Sequence, residues 1–385
     1  MRWLSDFEAR KARVAVELAR KAIADTPDRP GAWLALGRAL ISLGEFQDAA
    51  ARLREAIATL PPSDELLILL VHALFAQDLF EEAVPHAEAA LAMDPSDARA
   101  RRLYFDVLTS SKCWDRTGLD AADVAAFSPF NTRLMEMRTK SLGPLSTVEM
   151  CDALLAANPA HTNARYLKAL NLAKLGRAAE ARELIALDRL IEICDLPVPR
   201  SYDDERSFRD ALMREIHANP TLASDPRGKA TRDGLQTKRL RQPEAIAVED
   251  LLDLIRQAVD AYERRLVASG DEFARGRPAK ARLNAWAVVY GRDGRQISHR
   301  HPGGWLSGVY YVAAPRLGGE NAYRGRLLVG ALDPKEHGVD PPWGTREIEP
   351  VPGRLVMFPS YVPHATEATG IDGARISVAF DVVPF

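Results

Sequence analysis

The sequence predicts a chain of two structural classes, in which a helical-repeat solenoid is followed by a β-sandwich or jelly roll with flanking helices. Up to about residue 195 the chain is rich in Ala, Leu, Arg and Glu at helical spacing, whereas beyond about residue 280 it changes to short segments of Val, Tyr, Gly and Pro. A length of 385 residues suffices for two domains with separate cores. We therefore expect a helical-repeat domain at residues 1–195. We expect a β domain with a helical N-terminal part at residues 196–385.

Composition excludes several classes of function. The apolar fraction of 47% and the charged fraction of 27% are those of a water-soluble globular protein. The net charge of −2 provides no general attraction to nucleic acid or to an anionic membrane. The segment "MRWLSDFEARK" lacks the apolar stretch of a signal peptide, and no apolar run reaches the roughly 18 residues of a membrane span. Three widely separated cysteines suit a reducing compartment, so we expect a cytoplasmic protein.

The first half of the chain repeats with a period of 34 residues. One set of positions consists of Trp33, Leu36, Gly37, Leu40, Ala49, Leu53, Ala56 and Pro61, and the set 34 residues later consists of Leu67, Leu70, Val71, Leu74, Ala83, Ala87, Ala90 and Pro95. Large apolar residues recur where helices pack, small residues recur where helices cross closely, and proline recurs where the second helix must end. These positions therefore predict stacked helical hairpins.

This pattern resembles the tetratricopeptide repeat. Pro159, Gly176 and Ala181 keep the phase further along, whereas residues 110–131 do not, and we interpret that stretch as a degenerate repeat or an irregular helix pair. The resemblance implies a concave groove that binds a peptide or another protein. Alternatively, the repeats would form a homodimer or recruit a regulator.

A helical bridge connects the two halves. Residues 227–241 contain six basic side chains and one acid, which we interpret as a solvated loop. No aromatic residues are interleaved to stack on bases, which argues against nucleic-acid binding. After this run one helical face is apolar, which predicts a long helix packed outside the following sheet; the face consists of Leu251, Ile255, Ala258, Val259, Tyr262 and Leu266.

The second half contains short strand-like segments and three placed histidines. The segments include "LNAWAVVYG", "WLSGVYYVAA", "GRLVMFP" and "ARISVAFDVV", separated by Gly, Pro and Asp. His299 and His301 lie two residues apart, so in an extended segment both side chains point to one side. His364 follows a later strand. These three histidines predict a facial metal site that leaves coordination positions open.

Arg375 and Ser377 lie eleven and thirteen residues beyond His364. On a strand the two side chains share a face. A guanidinium forms a two-pronged bond with a carboxylate, and a neighbouring hydroxyl adds another bond. The pair therefore predicts a carboxylate-binding site.

Residues from about 280 onward resemble the iron(II)- and 2-oxoglutarate-dependent oxygenases, and in particular a bacterial and phage group with His-x-His-Pro followed by "LSGVYYV". The resemblance implies a double-stranded β-helix, the cofactors Fe(II), 2-oxoglutarate and O2, and hydroxylation of a substrate. By position, His299, His301 and His364 match the metal ligands, and Arg375 and Ser377 match the residues that hold 2-oxoglutarate. Tyr311 matches the tyrosine that bonds the same cosubstrate. The Gly-Gly-Glu of the pattern is at residues 318–320.

One departure from the oxygenase pattern matters. His301 stands where these enzymes usually have aspartate, which leaves the ligand set one negative charge short. Two alternatives therefore stay open. A cupin-type metal enzyme also uses His-x-His, although the acid that cupins add shortly afterwards is absent from "HPGGWLSG". A repeat scaffold with an inactive jelly roll would not account for three histidines and an arginine.

Five further residues near the motifs are candidates for lining a substrate pocket. Two precede the histidine pair on a strand, one ends that strand, and two follow the pair: Asn284, Trp286, Tyr290, Trp305 and Ser307.

Overall fold

The computed structural model describes residues 1–3, 6–77, 79–111, 142–159, 161–224, 230–242, 244–318 and 322–384, together with Met135 and Thr139. The chain divides into two compact units, which are residues 4–141 and residues 1–3 with 142–385. The helices between residues 144 and 190 therefore belong to the same unit as the sheet. The functional boundary at residue 195 stays a prediction.

The first unit is a row of helices in which each helix packs on the next. In chain order the helices are α1 (Asp6–Asp25), α2 (Pro30–Ser42), α3 (Phe46–Thr59), α4 (Asp64–Phe75), α5 (Phe80–Met93) and α6 (Ala98–Ser111). Helix α2 also contacts α4, and α4 contacts α6. The first helices of successive hairpins therefore lie side by side and form one face of the unit.

The repeat positions pack as the sequence predicts. A methyl group on Gly37 would lie 2.8 Å from the Leu53 side chain, so glycine permits the close crossing of α2 and α3. Ala49 and Ala56 are fully buried. Pro61 follows the end of α3, as a helix-terminating proline should. Residues 112–131 of the degenerate repeat lie outside the described residues.

The second unit contains both helices and β-strands, with most of its helices before β5 in the chain and most of the sheet formed by β5 and the strands after it. Its helices are α7 (Pro144–Ala157), α8 (Thr162–Lys174), α9 (Ala178–Ile185), α10 (Leu187–Leu190), α11 (Glu205–His217), α12 (Ile246–Ala268), α13 (Glu272–Arg275) and α14 (Pro334–His337). Its strands are β1 (Arg2–Trp3), β2 (Glu192–Asp195), β3 (Leu222–Ser224), β4 (Thr231–Thr237), β5 (Lys280–Gln296), β6 (Leu306–Ala313), β7 (Leu327–Val329), β8 (Arg346–Ile348), β9 (Arg354–Pro359), β10 (His364–Thr366) and β11 (Arg375–Pro384).

The strands form the two sheets of a double-stranded β-helix. The larger sheet has the order β2-β9-β6-β11-β5-β4-β3, with β1 parallel to β5 at the side. The smaller sheet has the order β10-β7-β8, and a backbone bridge between His299 and His364 extends it. From β6 onward the chain crosses to the smaller sheet at β7 and β8, returns to the larger sheet at β9, crosses again at β10 and returns at β11. This arrangement confirms the predicted jelly-roll class.

Helix α12 confirms the long helix predicted from its apolar face. Leu251, Ile255 and Val259 are buried, and the Tyr262 hydroxyl donates to the Leu190 carbonyl at 2.8 Å. No helix among the described residues is long and apolar enough to cross a bilayer.

The loop interpretation of the basic run at residues 227–241 is wrong for part of its length. Residues Thr231–Thr237 form strand β4, which pairs antiparallel with β5. A run of charges did not prevent strand formation, because the alternating side chains of an edge-proximal strand can face solvent. Residues 225–229 lie outside the described part.

Candidate metal centre

Backbone hydrogen bonds between the segments at residues 299–301 and 360–364 bring the three histidines together. His299 and His364 exchange backbone hydrogen bonds, with N···O distances of 3.0 and 2.9 Å. The His301 amide donates to the Ser360 carbonyl at 2.9 Å. Both segments that carry the histidines are therefore fixed by main-chain bonds, independently of anything their side chains bind.

The three imidazole rings converge on one point. The ring centroids of His299 and His364 are 4.2 Å apart, and each lies 5.0 Å from that of His301. One nitrogen of each ring can be chosen such that all three nitrogens lie within 4.8 Å of one another. Three nitrogens about 2 Å from a common centre can satisfy that separation, so the cluster can hold a transition-metal ion.

Each ring uses its Nδ1 for a hydrogen bond to an oxygen acceptor. Nδ1 of His299 lies 2.8 Å from the Ile297 carbonyl, and that of His364 lies 3.1 Å from the Val362 carbonyl. Nδ1 of His301 lies 2.6 Å from Oδ1 of Asp381. A carbonyl or carboxylate oxygen can only accept, so Nδ1 carries a proton in each case, and in the neutral ring this tautomer leaves the lone pair on Nε2.

Burial keeps two of these rings neutral. Burial, assisted by the neighbouring His301, lowers the pKa of His299 to about 4. Burial and the nearby His299 and His301 lower the pKa of His364 well below its usual value. Neutral imidazole is the form that binds metal, so the pair is ready to act as ligands at neutral pH without losing protons.

The histidines lie in a pocket whose floor comes from alternate residues of three strands. Register places Ser377 opposite Tyr311 on β6 and Val288 on β5, so these side chains share the pocket face. The apolar lining includes Trp286, Val288, Val309, Leu327 and Phe358.

Arg375 gives the pocket a buried positive charge. Its residue is 2% exposed, its guanidinium donates to the Gly325 carbonyl at 2.5 Å, and the Tyr290 ring centre lies 4.6 Å away. Burial lowers the pKa of this guanidinium, although Tyr311 and Tyr290 oppose the shift. Arginine nevertheless stays charged, so the pocket contains a cation that lacks a carboxylate partner among the described residues.

Two buried polar atoms in this pocket have no hydrogen-bond partner among the described residues, Nε of Arg375 and the hydroxyl of Tyr311. Burial also raises the pKa of Tyr311 to about 12, so its hydroxyl stays protonated and can donate. An unpaired buried donor costs about 1–3 kcal/mol, which a bound carboxylate would recover. The residues present therefore fit a metal ion on the three histidines together with an anionic ligand near Arg375, Tyr311 and Ser377.

Of the five other candidate pocket residues, two line the pocket and three do not. Trp286 and Ser307 line the pocket, and the Trp286 ring centre lies 5.6 Å from that of His301. Tyr290 lies behind Arg375 and does not line the pocket. Trp305 is stacked on Phe273 in the core, and exposed Asn284 does not reach the lining. Gly319 and Glu320 of the Gly-Gly-Glu motif lie outside the described residues.

Sequence reasoning missed Asp381, which contacts His301 and is 9% exposed. The signal was available in the period of two along β11, because Arg375, Ser377, Ala379 and Asp381 alternate with apolar residues on one face.

The loop that carries the histidine pair is also held by helix α8. Arg300, between the two histidines, donates to Oδ1 of Asn163 at 2.6 Å and lies 4.1 Å from the Tyr166 ring centre. The Thr162 hydroxyl donates to the Pro302 carbonyl at 2.5 Å. The helical hairpin thus contacts the segment on both sides of His301.

Three family models match the chain. Residues 284–381 match the family described as "Putative 2OG-Fe(II) oxygenase", and residues 4–64 and 43–105 match tetratricopeptide-repeat models. No curated protein gives a significant sequence match.

Solved structures with similar folds include two hydroxylases. A Pseudomonas putida prolyl-4-hydroxylase is 18% identical, with a TM-score of 0.36, 53% of this chain covered and 98% of that one. A prolyl hydroxylase from Trichoplax adhaerens, solved with a hypoxia inducible factor peptide fragment, is 13% identical, with a TM-score of 0.35 and coverages of 55% and 92%. YrrB, a tetratricopeptide-repeat protein with an unusual peptide-binding site, is 15% identical, with a TM-score of 0.27 and coverages of 47% and 79%.

The repeat positions, the three-histidine pocket and the family models agree along the chain. The chain therefore resembles tetratricopeptide-repeat proteins over residues 4–105 and a family of 2OG-Fe(II) oxygenases over residues 284–381.

Proposed function

We propose that this chain is an iron(II)- and 2-oxoglutarate-dependent hydroxylase that acts on a peptide or protein side chain. One observation carries the proposal. A cluster of three histidines shares a pocket with a buried arginine and a buried tyrosine, whose Nε and hydroxyl have no partner among the described residues. A metal site alone would need the histidines and would leave the other two donors unexplained.

In this proposal Nε2 of His299, His301 and His364 would hold Fe(II), and Arg375, Ser377 and Tyr311 would hold the distal carboxylate of 2-oxoglutarate. The bound metal would supply activation of O2, the oxidant, and 2-oxoglutarate would supply two of the four electrons, such that 2-oxoglutarate, O2 and a substrate C–H group yield succinate, CO2 and a C–OH group. The protein orients the reactants and lowers the cost of bringing them together.

The pocket residues divide that task. Arg375 is held in place by the Gly325 carbonyl and the Tyr290 ring, so the guanidinium loses little freedom when a carboxylate binds. The Tyr311 hydroxyl stays protonated and donates. The apolar walls exclude water from the space beside the metal ligands, which strengthens each polar interaction there.

The test is anaerobic reconstitution with Fe(II), followed by calorimetric titration with 2-oxoglutarate and then by an O2-dependent succinate assay. We expect one 2-oxoglutarate per metal and succinate formation that requires both. A chain that binds metal but has no affinity for 2-oxoglutarate would favour the cupin-type alternative. A chain that binds neither metal nor 2-oxoglutarate would favour the alternative of a repeat scaffold with an inactive jelly roll.

The peptide part of the proposal depends on the repeats. On the face formed by α2, α4 and α6, Arg102 lies near His72, where it helps burial to lower the pKa of that histidine, and it contacts Asp106 at 3.8 Å. A polar face on a tetratricopeptide unit suits an extended peptide. We propose that this face binds the substrate and delivers a side chain to the metal pocket.

Charge reversal tests that assignment. Arg102→Glu should raise KM for the peptide substrate, whereas Arg52→Glu on the second-helix layer should not. The two variants are matched, because both side chains are exposed and, among the described residues, each forms ion pairs within its own helix. Uncoupled 2-oxoglutarate turnover should be equal in both variants. A chain of residues 142–385 that modifies the substrate with full efficiency would contradict a role for the repeats in substrate binding.

A further inference from the structure

Asp381 is the one carboxylate among the described residues that bonds to a proposed metal ligand. The candidate ligand cluster itself contains three histidines and no acid in the described part of the chain. His299 and His364 donate their Nδ1 protons to backbone carbonyls, whereas His301 donates to Asp381. The histidine that stands where related oxygenases have aspartate is therefore the one that is backed by an aspartate.

The carboxylate is held in a defined position. The Ser307 hydroxyl donates to the same Oδ1 at 2.6 Å and lies 2.9 Å from the Ser360 hydroxyl. Ser307 is 1% exposed and Ser360 is fully buried. A methyl group on Gly304 would lie 2.5 Å from the Ser360 hydroxyl, so glycine leaves room for this network. These residues form a packed polar cluster in which Oδ1 of Asp381 lies within hydrogen-bond distance of both the Ser307 hydroxyl and Nδ1 of His301.

We infer that Asp381 is a positioning residue that restores, from behind His301, the negative charge missing from the ligand set. It accepts a hydrogen bond from the Nδ1–H group of His301 and thereby fixes the tautomer in which Nε2 faces the metal. A carboxylate acceptor also makes the imidazole a stronger electron donor than a carbonyl acceptor does. This inference rests on the proposed function for the identity of the metal site, and it deepens that proposal by explaining how an all-histidine site can serve the same chemistry.

The strand makes the arrangement compact. Arg375, Ser377 and Asp381 lie on one face of β11, so a single strand carries both the carboxylate anchor and the residue that positions a metal ligand. Register places Asp381 opposite Ser307, which is why the hydroxyl reaches it.

The experiment compares Asp381→Asn with Asp372→Asn in the full-length chain. Asparagine keeps the shape and an acceptor oxygen but removes the charge. Asp372 loses the same charge from a side chain that is 96% exposed and lies in the turn before β11. Co(II) affinity is measured by anaerobic titration without 2-oxoglutarate, and the Fe(III)/Fe(II) potential is measured on the iron-loaded proteins.

We expect Asp381→Asn to weaken Co(II) binding by about 10- to 100-fold, the usual effect of losing such a partner. The iron potential should rise, because a less electron-rich imidazole stabilises Fe(III) less. Asp372→Asn should match wild type in both. A loss smaller than tenfold in Asp381→Asn, an equal loss in the control, or an unchanged potential would overturn the inference.

A second measurement needs no variant and covers the case in which Asp381→Asn fails to fold. In a crystal structure of the Co(II)-loaded wild-type chain, Nε2 of His301 should contact the metal while Nδ1 contacts Asp381. A metal on Nδ1, with Asp381 turned away, would overturn the inference.

The two proposals fail in distinguishable ways. If metal-loaded wild type does not bind 2-oxoglutarate but Asp381→Asn loses metal affinity, the proposed function falls and the role of Asp381 stands. If wild type binds 2-oxoglutarate and Asp381→Asn binds metal normally, the proposed function stands and the role of Asp381 falls. If wild type binds no Co(II), both fall.

Discussion

Replacing Tyr311 with phenylalanine should stabilise the ligand-free protein and weaken 2-oxoglutarate binding at the same time. The Tyr311 hydroxyl is buried and has no partner among the described residues, and its raised pKa keeps it protonated. An unpaired buried hydroxyl costs about 1–3 kcal/mol, and removing one oxygen atom leaves almost no cavity. We therefore expect the free energy of unfolding to rise by about 1–2 kcal/mol, which for a unit of this size is a Tm increase of roughly 2–8 °C.

The opposite effect on binding follows from the same atom. A hydrogen bond to a charged group contributes about 1.5–3 kcal/mol, so losing the bond to a carboxylate should weaken 2-oxoglutarate binding by roughly 10- to 150-fold. Tyr310→Phe is the matched control, because Tyr310 directly precedes Tyr311 on β6 and faces away from the pocket. It should leave the 2-oxoglutarate affinity unchanged.

The assays are thermal unfolding of the metal-free proteins and calorimetric titration of the metal-loaded proteins with 2-oxoglutarate. A general packing defect would lower both the Tm and the affinity for 2-oxoglutarate. A higher Tm together with a lower affinity would therefore identify the Tyr311 hydroxyl as the unsatisfied donor. If Tyr311→Phe lowers the Tm of the metal-free protein, the hydroxyl has a partner in the resting state. If the affinity for 2-oxoglutarate is unchanged, the hydroxyl does not bind the cosubstrate.

Three further predictions concern the same unit. His299→Ala or His364→Ala should abolish stoichiometric metal binding, since each removes one of three ligands, and full occupancy by elemental analysis would contradict the site. Arg375→Ala should keep the metal but weaken 2-oxoglutarate binding by about 2–5 kcal/mol, with Arg375→Lys intermediate; an unchanged calorimetric affinity would remove the carboxylate anchor. Gly308→Ala should destabilise the fold by about 1–3 kcal/mol in chemical unfolding, because the added methyl would lie 2.8 Å from a carbonyl oxygen, whereas Gly303→Ala points into open space and should be neutral.

The sequence predicted the parts of this structure that depend on a fixed period. The 34-residue spacing located the helical hairpins, and the two-residue spacing of His299 and His301 placed both rings on one side. These features follow from local geometry, because the pitch of a helix and the pleat of a strand decide which side chains share a face.

Other parts depend on contacts between distant segments. Asp381 lies eighty residues from His301, and nothing near either residue marks them as partners. Strand β10 has only three residues, too few for a periodic pattern, and its pairing with β7 is what carries His364 into the site. The charged composition of residues 231–237 indicated a loop, but these residues form strand β4 because they pair with β5. Register and sheet order, which a single sequence does not display, set all three.

The contact between helix α8 and the histidine loop has a consequence for how this chain can be rearranged. Asn163, Thr162 and Tyr166 contact Arg300 and Pro302, so the hairpin with the phase of a repeat is a structural part of the unit that carries the three histidines. In the exchange of repeat modules between chains, whether by recombination or by protein engineering, the junction would have to lie before α7. A swap that ended after α8 would exchange the repeats and at the same time remove the contacts that hold the segment between His299 and Pro302. The last hairpin would therefore have to be kept together with the segment that carries the histidine pair.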